Sequence, residues 1–593
     1  MATANEQKFK NTTTRILGDM YAQWEIIPDL KFKTSIGVDI MYHKSDSYTP
    51  SNIYQSGGLA EATIANNRSV NWLNENILTW NKEFGDIHNL SVLGGFTMQQ
   101  NNTEYVSASS KGFVNDILLY NNLGAGSIYN KPESNATQWN LMSYLARINY
   151  SLYNRYLFSL NGRVDGSSRF GASNKYGFFP SASAAWRISE EGFMESLRDK
   201  ISNLKLRTSF GYTGNTEIGV YESLATMGSN SWTIGNQLVT GFFPNRIPNP
   251  DLKWERTAQF DVGFDVGLFN NRLRITTDYY YKKTTDLLYD VAIPGASGYQ
   301  TMLKNIGSVQ NQGYELSIDS DNLTGEFSWT TAFNISFNRN KVLELGGEDY
   351  KEMAEGDGHL KTGSVRRLIV GEPIGIFYGY RFDGIFQNEA ECAEQTASPS
   401  PIGVGLRRYK DLNGDGKIDA NNDREILGDA NPDFFGGLTN TFAYKGFELV
   451  VFLQYCYGNE ILNYNAIELE TPTGGQNAYK ELLNRWTPEN PSNIYPKATT
   501  NRAVLVSDRF VEDGSYLKLK TLSLSYNFPQ MKFKHIQGLR VYVTGQNLLT
   551  WTSYRGYDPE VSYRGASTLE AGEDFGGYPQ AKTFMFGVKL DLK

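Results

Sequence analysis

The chain has 593 residues and a formal net charge of −8, with 13% aromatic residues, 57 glycines and a mean hydropathy of −0.44. Domains average roughly 150 residues, yet no Pro/Ser-rich linker or composition shift marks a boundary, so one large architecture is considered. The acidic balance and the lack of a basic run argue against a nucleic-acid partner. Many aromatic residues in a polar chain suit a wall with one apolar and one wet face, although soluble β-sandwiches share this composition.

Period-two alternation of apolar and polar residues recurs from end to end of the chain and predicts strands with one apolar face. The clearest alternating runs are at residues 146–152, 260–268, 273–281, 329–337 and 522–528. Residues 257–269 and 314–340 are predicted to be spans of the longer kind, since a strand that crosses a bilayer needs about 9–11 residues, whereas soluble strands usually have about 5–6. Within the first, Val262 and Phe264 are predicted to face lipid and Gly263 the lumen.

Short turns and long polar loops follow one another along the chain. Tight turns are predicted at Pro28-Asp29, Tyr153-Asn154-Arg155, Asn270-Asn271, Leu323-Thr324-Gly325 and Lys445-Gly446. Long loops are predicted at 44–68, 107–137, 213–253, 284–309, 341–432, 458–514 and 550–580. Outer-membrane barrels have short periplasmic turns and long external loops. A sheet in lipid must also close, because lipid offers no partner for backbone groups. The pattern therefore predicts an all-β, transmembrane, antiparallel barrel.

The strand count is about seventeen, and single-chain bacterial barrels have an even number. The first predicted strand enters from the long-loop side, so we expect the chain to begin inside a barrel. No run of about 18 apolar residues predicts a transmembrane helix, and MATANEQKFK lacks the apolar core of a signal peptide. We therefore expect residues 1–593 to be one barrel domain that is incomplete at its N-terminus.

Several segments resemble the SusC/RagA family of TonB-linked outer-membrane proteins, densely from about residue 140 onward. They include Ser143 to Phe193, LKLRTSFGYTGN, NPDLKWERTAQFDVGFD, DYYYKKTTDLL, GEPIGIFYGYRFDGIFQ, RFVEDGSYLKLKTLSLSY and VYVTGQNLLTWTSYRGYDPEV. The resemblance implies a 22-stranded barrel of which five strands are absent here. It also implies import of bulky glycans or peptides across the outer membrane, with a SusD-like surface lipoprotein and with TonB as partners. The plug, the TonB box and a C-terminal aromatic residue, which the family has, are missing from this sequence.

One segment resembles a calcium-binding loop of the EF-hand type. Carboxylate or amide side chains stand at loop positions 1, 3, 5 and 9, Gly416 at position 6, and a backbone carbonyl at position 7. The candidate ligands are Asp411, Asn413, Asp415, the Lys417 carbonyl, Asp419 and Asp423. Position 12 is Asn422 instead of the usual Glu. A plain Asp/Asn/Gly turn is the alternative. Calcium would stiffen a long external loop, and no cofactor is otherwise required.

No catalytic motif is present, so an enzyme is not predicted. The four histidines are scattered and predicted to bind no metal. Cys392 and Cys456 form no CxxC pair. A disulfide between them on the external side is an alternative, but free cysteines are favoured. Aromatic residues in the long loops could stack on sugar rings, or could simply pack between loops and against a lipoprotein, which is the interpretation favoured here. They are Trp232, Phe242, Phe243, Tyr464, Tyr479, Tyr554, Tyr557 and Tyr563.

Three functions remain open from the sequence. The first is an importer acting with a SusD-like lipoprotein. The second is a passive outer-membrane pore without energy coupling. The third is a secreted β-rich adhesin or sugar-binding protein, which unlike the others would need no detergent.

Overall fold

The structure, a computed structural model, describes residues 6–53, 57–85, 87–299, 301–353, 356, 359–360, 362–471, 477–500, 504–529, 536–561, 563–565 and 567–592. The chain folds as two compact units. Unit 1 is Met1–Trp186, Ser209–Ala258 and Thr285–Ile306, and unit 2 is Arg187–Thr208, Gln259–Thr284 and Gly307–Lys593. Within the described residues, no helix has the length and the hydropathy needed to cross a membrane.

Across the described residues, one antiparallel sheet has 18 strands, and one of these is the two-residue strand Ile128–Tyr129, which leaves seventeen long strands. This is the number predicted from the alternation of the sequence. The strands are β1 Lys8–Ile27, β2 Leu30–Thr49, β3 Glu61–Phe84, β4 His88–Lys111, β5 Glu133–Leu152, β6 Tyr156–Ser167, β7 Tyr176–Arg187, β8 Ile201–Asn215, β9 Glu255–Leu268, β10 Leu273–Thr285, β11 Ser308–Leu323, β12 Phe327–Glu344, β13 Phe434–Tyr444, β14 Phe447–Tyr457, β15 Tyr516–Asn527, β16 Ile536–Thr552 and β17 Thr583–Leu592.

Short elements are confined to the connections. The short strands are Ile128–Tyr129, Thr226–Ile234, Gln237–Arg246, Leu288–Ala292, Thr301–Asn305, Tyr350–Glu352, Arg367–Ile369, Ile376–Tyr380, Phe382–Ile385, Arg407–Tyr409, Arg424–Asp429, Glu460–Asn463, Val511–Asp513 and Glu573–Asp574. Two helical turns are α1 Glu389–Glu394 and α2 Tyr464–Leu469, and the 3₁₀ turns are Leu119–Asn121, Leu123–Ala125, Ile188–Glu190, Gly192–Leu197, Gly295–Ser297, Lys480–Asn484, Asp508–Phe510 and Thr568–Glu570.

Neighbouring strands of each unit pair antiparallel in chain order. In unit 1, β3 and β4 are in register from Glu61 opposite Lys111 to Phe84 opposite His88. In unit 2, β11 to β17 form a consecutive ladder, with β12 and β13 paired from Phe327 opposite Tyr444 to Ser336 opposite Phe435. Side chains of a strand alternate between the two faces of the sheet, so this register carries the alternation of the sequence across the whole sheet.

The predicted tight turns are all present between long strands. Lys445 and Gly446 both have positive φ, 46° and 89°, which is the backbone shape of a two-residue type I′ hairpin turn. Asn270 and Asn271 have φ of 57° and 59°, and asparagine tolerates this region better than most residues. Local turn chemistry therefore fixes which strands pair and in which register.

Short and long connections alternate as predicted, except on either side of β7, where 168–175 is shorter than 188–200. The other short ones are 28–29, 85–87, 153–155, 269–272, 324–326, 445–446 and 528–535, and the other long ones are 50–60, 112–132, 216–254, 286–307, 345–433, 458–515 and 553–582. The predicted loop 44–68 is wrong in extent, since β2 continues to Thr49 and β3 begins at Glu61. Polar residues such as Ser45, Ser47 and Asn66 interrupt the apolar alternation at these strand ends, although Tyr48 and Ala62 are buried there.

Candidate functional site

The three longest connections of unit 2, residues 345–433, 458–515 and 553–582, form a packed structure that is here called the loop layer. Its apolar core is fully or almost fully buried. The core residues are Leu360, Val365, Phe377, Leu462, Tyr464, Ala466, Ile467, Val504, Val506 and Phe510. Burial of this kind stabilises structure by about 25 cal/mol for each Å² of apolar surface. The loops of unit 2 therefore have a hydrophobic core of their own.

Buried ion pairs hold the loop layer together. Arg366 Nε lies 2.7 Å from Glu573 Oε1, and both side chains are almost inaccessible to water. Glu470 is equally buried and accepts from Arg509 at 2.7 Å and from Arg555 at 3.1 Å. Removing one member of a buried pair leaves the other charge without compensation, which is strongly destabilising. These pairs therefore restrict the loop layer to one packed arrangement.

Lys518, near the N-terminal end of β15, joins the sheet to the loop layer. Its side chain is 1% exposed. Lys518 Nζ lies 2.5 Å from Asp558 Oδ1 and 2.6 Å from Glu560 Oε2, and Lys520 Nζ reaches the same Glu560 oxygen at 2.8 Å. Burial alone would raise the pKa of both carboxyls, but the hydrogen bonds from the lysines outweigh it and leave each pKa lowered.

Two further groups in the loop layer have a shifted pKa because they are buried. Desolvation, together with a 2.6 Å hydrogen bond to Asp574, raises the pKa of the Tyr554 hydroxyl well above its usual range. Burial lowers the pKa of Arg407, whose guanidinium donates to Thr471 Oγ1 at 2.8 Å. Hydrogen bonds inside the loop layer hold both groups, so we interpret both as structural.

The loop layer contains an open cavity of roughly 450 Å³. Glu470, Thr471 and Tyr479 line one part of it, and the basic residues Lys480 and Lys497 line another. A concavity with a few polar groups is the usual form of a small-molecule site. It is a candidate contact region for a ligand that reaches the loops from outside.

The two faces of β9 differ as the alternation predicted. Phe264 is exposed on one face, whereas Gly263 and Asp265 are on the other. Arg207 binds Asp265 at 2.9 Å and Asp278 at 2.9 Å on that second face. A charged row on one face and an aromatic row on the other is the arrangement of a strand between a wet lumen and lipid.

The predicted calcium loop is present as a hydrogen-bonded turn. Asp411 accepts from Gly414 N and Gly416 N, both at 2.7 Å, and the Gly416 bond is the main reason that the pKa of Asp411 is lowered. The fully buried Asp423 accepts from Leu412 N and Asp419 N, both at 2.8 Å. The bond from the side chain of Asn422 is the main cause of the lowered pKa of Asp419.

The oxygens of this loop suit calcium, but several of them accept hydrogen bonds from backbone N–H groups of the turn. Asn413 Oδ1 and Asp415 Oδ1 accept from backbone N–H groups of the turn, at 3.2 Å and 2.8 Å. Lys417 is also part of this turn, and its N–H is the donor to Asp415. Among the described residues, no group of three or more His, Cys, Asp or Glu side chains could hold a metal ion. Calcium binding at this loop stays a prediction.

The remaining polar candidates do not form a reactive centre. His43 contacts Thr13 at 2.9 Å, His88 contacts Tyr150 at 2.7 Å and His359 lies 3.6 Å from Glu468, while His535 is outside the described residues. Cys392 and Cys456 are both free, so the pairing considered from the sequence is wrong. Cys456 Sγ instead lies 3.3 Å from Asn459 Oδ1.

The aromatic candidates divide into buried and exposed groups. Tyr464 and Tyr554 are buried, and Tyr479 packs against the core of the loop layer, which agrees with the favoured packing interpretation and excludes the two buried rings as an open sugar platform. Tyr563 lies on Phe575 with ring centroids 5.5 Å apart. Tyr557 is exposed, and so are Trp232, Phe242 and Phe243.

The sequence profile of the family described as "TonB dependent receptor-like, beta-barrel" matches residues 3–548. The chain belongs to that family. TonB-dependent receptor P3 of Formosa agariphila is 39% identical over 599 residues, which cover 100% of this chain and 59% of the relative. TonB-dependent receptor SusC of Bacteroides thetaiotaomicron is 32% identical over 476 residues, which cover 77% of this chain and 44% of SusC.

A chain in the structure of the RagAB peptide transporter matches with a TM-score of 0.85 and 28% identity, over 99% of this chain and 63% of that chain. The predicted SusC/RagA relationship, the all-β barrel class and the outer-membrane location are thereby confirmed. The chain spans about three fifths of the length of the first relatives that it matches, 59% and 60%. Those relatives have names of receptors and not of enzymes.

Sequence reasoning missed the loop layer as a structural unit. The segment GEPIGIFYGYRFDGIFQ was recognised only as a family signature, yet Ile376, Phe377, Ile385 and Phe386 are at most 2% exposed. Its short apolar runs bounded by glycines are a signal of short buried strands. That signal is present in the sequence and could have predicted a core inside the long loops.

Proposed function

We propose that the protein of which this barrel is a part imports bulky nutrient oligomers, glycans or peptides, across the outer membrane, with energy supplied through TonB. The membership of the TonB-dependent receptor family supports the transport class. The relative RagAB is described as a peptide transporter, and SusC as a TonB-dependent receptor. An oligomer as substrate fits a protein that presents large, folded loops at one end of its strands.

The observation that carries the proposal is the loop layer with its buried ion pairs. Long loops without a function are usually mobile and variable, whereas these contain Arg366–Glu573 and Lys518–Asp558 as buried pairs. Holding loops in one arrangement presents a fixed surface to a second protein. We infer that a SusD-like surface lipoprotein docks on this surface and passes the oligomer to the barrel.

Growth of a deletion strain on a panel of glycans and peptides tests the proposal. Loss of growth on one class of oligomer, restored by the intact gene, is the expected result. Uptake of that oligomer should stop when a protonophore collapses the inner-membrane proton gradient or when TonB is deleted. Uptake that continues under both conditions would instead indicate a passive pore.

Copurification tests the partner. The intact protein, extracted from outer membranes in mild detergent, should bring a surface lipoprotein with it. The variant Arg366→Met should lower the recovered lipoprotein, because it leaves Glu573 buried without its partner and loosens the loop layer. Arg68→Met, at an exposed pair with Glu104, is the control that should leave recovery unchanged. Equal recovery from both variants would contradict docking on the loop layer.

A further inference from the structure

The hairpin formed by the strands Thr226–Ile234 and Gln237–Arg246 projects from unit 1 with several large apolar side chains exposed. Its turn, Gly235-Asn236, has φ of 56° and 65°, as a type I′ turn requires. Arg246 fixes the base of the hairpin by binding Glu222 at 2.9 Å and the Tyr221 carbonyl at 3.2 Å. The hairpin is therefore an ordered element with exposed rings.

Two of the exposed rings belong to one face of the hairpin. Trp232 is paired with Val239, and Phe243 with Gly228, so both belong to the same face of the hairpin. A Cβ atom added to Gly241 would lie 2.7 Å from Trp232 Cδ1, and one added to Gly228 would lie 2.6 Å from Phe243 Cζ. Each ring thus occupies the space that a side chain at the neighbouring glycine would need. Glycine at both positions therefore allows the rings to lie close to the backbone.

The outward sides of both rings remain open. Trp232 is 58% exposed and Phe243 is 41% exposed. The Trp232 ring reaches the row of Gly241, which is two residues, about 7 Å at the rise of a β-strand, from the row of Phe243 and Gly228. Two exposed rings that follow one another along one face suit a ligand made of repeated rings better than a single small molecule.

The polar groups beside the rings are neutral. Asn230 and Gln237 are exposed on the same face, and their amides can both donate to and accept from hydroxyl groups. From Thr226 to Asn245 the hairpin contains no Asp, Glu, Lys or Arg. A carboxylated or sulfated glycan, or a peptide with charged ends, would lose hydration here without gaining an opposite charge.

We propose that this face is a binding platform for a neutral oligosaccharide, with the rings of Trp232 and Phe243 stacked on two sugar units. The C–H bonds on one side of a pyranose ring are weakly positive and are attracted to the negative face of an aromatic ring. The amides of Asn230 and Gln237 bind hydroxyl groups at the edges of the sugars. The proposal rests on the proposed import function and assigns a glycan to it as the substrate class.

The opposite face of the hairpin provides a matched control. Phe242 is 74% exposed but points away from Trp232 and Phe243, together with Met227 and Leu238. Phe242→Ala removes a ring of the same size and exposure class from the same element. A loss of hydrophobic surface or of hairpin stability would affect both faces, whereas loss of the platform affects one.

Binding of the purified, intact protein in detergent to an array of neutral, carboxylated and sulfated oligosaccharides and of peptides is the test, followed by calorimetry with the neutral oligosaccharide that binds best. Trp232→Ala and Phe243→Ala are each expected to weaken that binding about 10-fold, Trp232→Tyr by less than about 3-fold, and Phe242→Ala by less than about 2-fold. Absence of binding to any neutral oligosaccharide would overturn the platform, and so would an equal loss in Phe242→Ala.

Failure of this inference is distinguishable from failure of the import function. Energised uptake is measured separately, with whichever nutrient the deletion strain can no longer use. Uptake that needs TonB while neutral oligosaccharides do not bind would overturn the platform and leave import intact. If Trp232→Ala instead removes the copurified lipoprotein without changing oligosaccharide binding, the rings are a protein contact and the platform is wrong.

Discussion

At the scale of single residues, Lys518 is a buried charge that two carboxylates compensate. A lysine that is 1% exposed would lose its charge or unfold its surroundings without partners. Asp558 and Glu560 compensate it at 2.5 Å and 2.6 Å. Because these carboxylates belong to the segment 553–582 and the lysine to β15, the three charges connect the loop layer to the sheet.

Lys518→Met is expected to lower the free energy of unfolding by about 3–5 kcal/mol, because Asp558 then remains without its cation and Glu560 keeps only Lys520. Urea unfolding of the protein in lipid vesicles measures it. Arg68→Met breaks an exposed pair, 49% and 63% accessible, and is expected to cost less than about 1 kcal/mol. A small effect of Lys518→Met would show that the buried pairs do not hold the loop layer.

The same cluster predicts a dependence on acid. The pKa values of Asp558 and Glu560 are lowered in the folded protein relative to ordinary values of 3.8 and 4.5. Their contribution to stability is fully present above the unfolded pKa and is lost as the pH falls through the folded pKa. The thermal unfolding midpoint should therefore decrease as the pH drops below about 4, and this decrease should be smaller in Lys518→Met. An unchanged difference between the two proteins from pH 7 to pH 3 would contradict this.

The direction of side chains on β9 gives a second prediction at the residue scale. Phe264→Arg places a charge on the lipid face and is expected to cost about 2–4 kcal/mol if the position is near the bilayer centre. Gln259→Arg, on the opposite face of the same strand, should be tolerated. Gly263 is a poor control because a Cβ there would lie 2.1 Å from Asp278 Oδ1. Equal costs in the two variants, measured by refolding into vesicles, would refute the assigned faces.

At the scale of elements, the sequence predicted what depends on local rules. The turn at Lys445-Gly446 and the alternation of β9 follow from backbone geometry and from period two, and both are present. The ends of β2 and β3 were missed because polar residues such as Ser45, Ser47 and Asn66 interrupt the apolar alternation there. The core of the loop layer was missed because its contacts join segments far apart in the chain.

Among the candidate sites, local patterns were informative only in part. Trp232 and Phe243 were singled out as loop aromatics, but their position on one face depends on hairpin register, which the sequence did not provide. Tyr464 was singled out in the same way and proved to be buried. Aromatic residues in loops are equally suited to packing and to binding, so only the three-dimensional arrangement separates them.

The loop from Asp411 to Asp423 provides a prediction at the element scale. If it binds calcium, about 1 mM Ca²⁺ should raise the thermal unfolding midpoint by a few degrees relative to EDTA, because an ion that binds only the folded state stabilises it. Asp415→Asn keeps an acceptor for Lys417 N, now at 2.8 Å, but removes a charge, and it should abolish the rise. Mg²⁺ is the control. Identical midpoints in Ca²⁺ and in EDTA would show that the loop is an Asp/Asn/Gly turn that binds no calcium.

At the scale of the whole molecule, one asymmetry organises the protein. The connections at one end of the strands are mostly tight turns, and those at the other end include 345–433 and 458–515. Family membership places such strands in the outer membrane. The long connections are therefore expected to face the outside of the cell, and the turns to face the periplasm.

Labelling of single cysteines in intact cells tests this orientation most directly. In a background with Cys392 and Cys456 replaced by serine, Tyr557→Cys reports on a long connection and Asn271→Cys on a short turn. A maleimide too large to pass through porins should label Tyr557→Cys in intact cells and Asn271→Cys only after lysis. Labelling of Asn271→Cys in intact cells, or protection of Tyr557→Cys, would contradict the account.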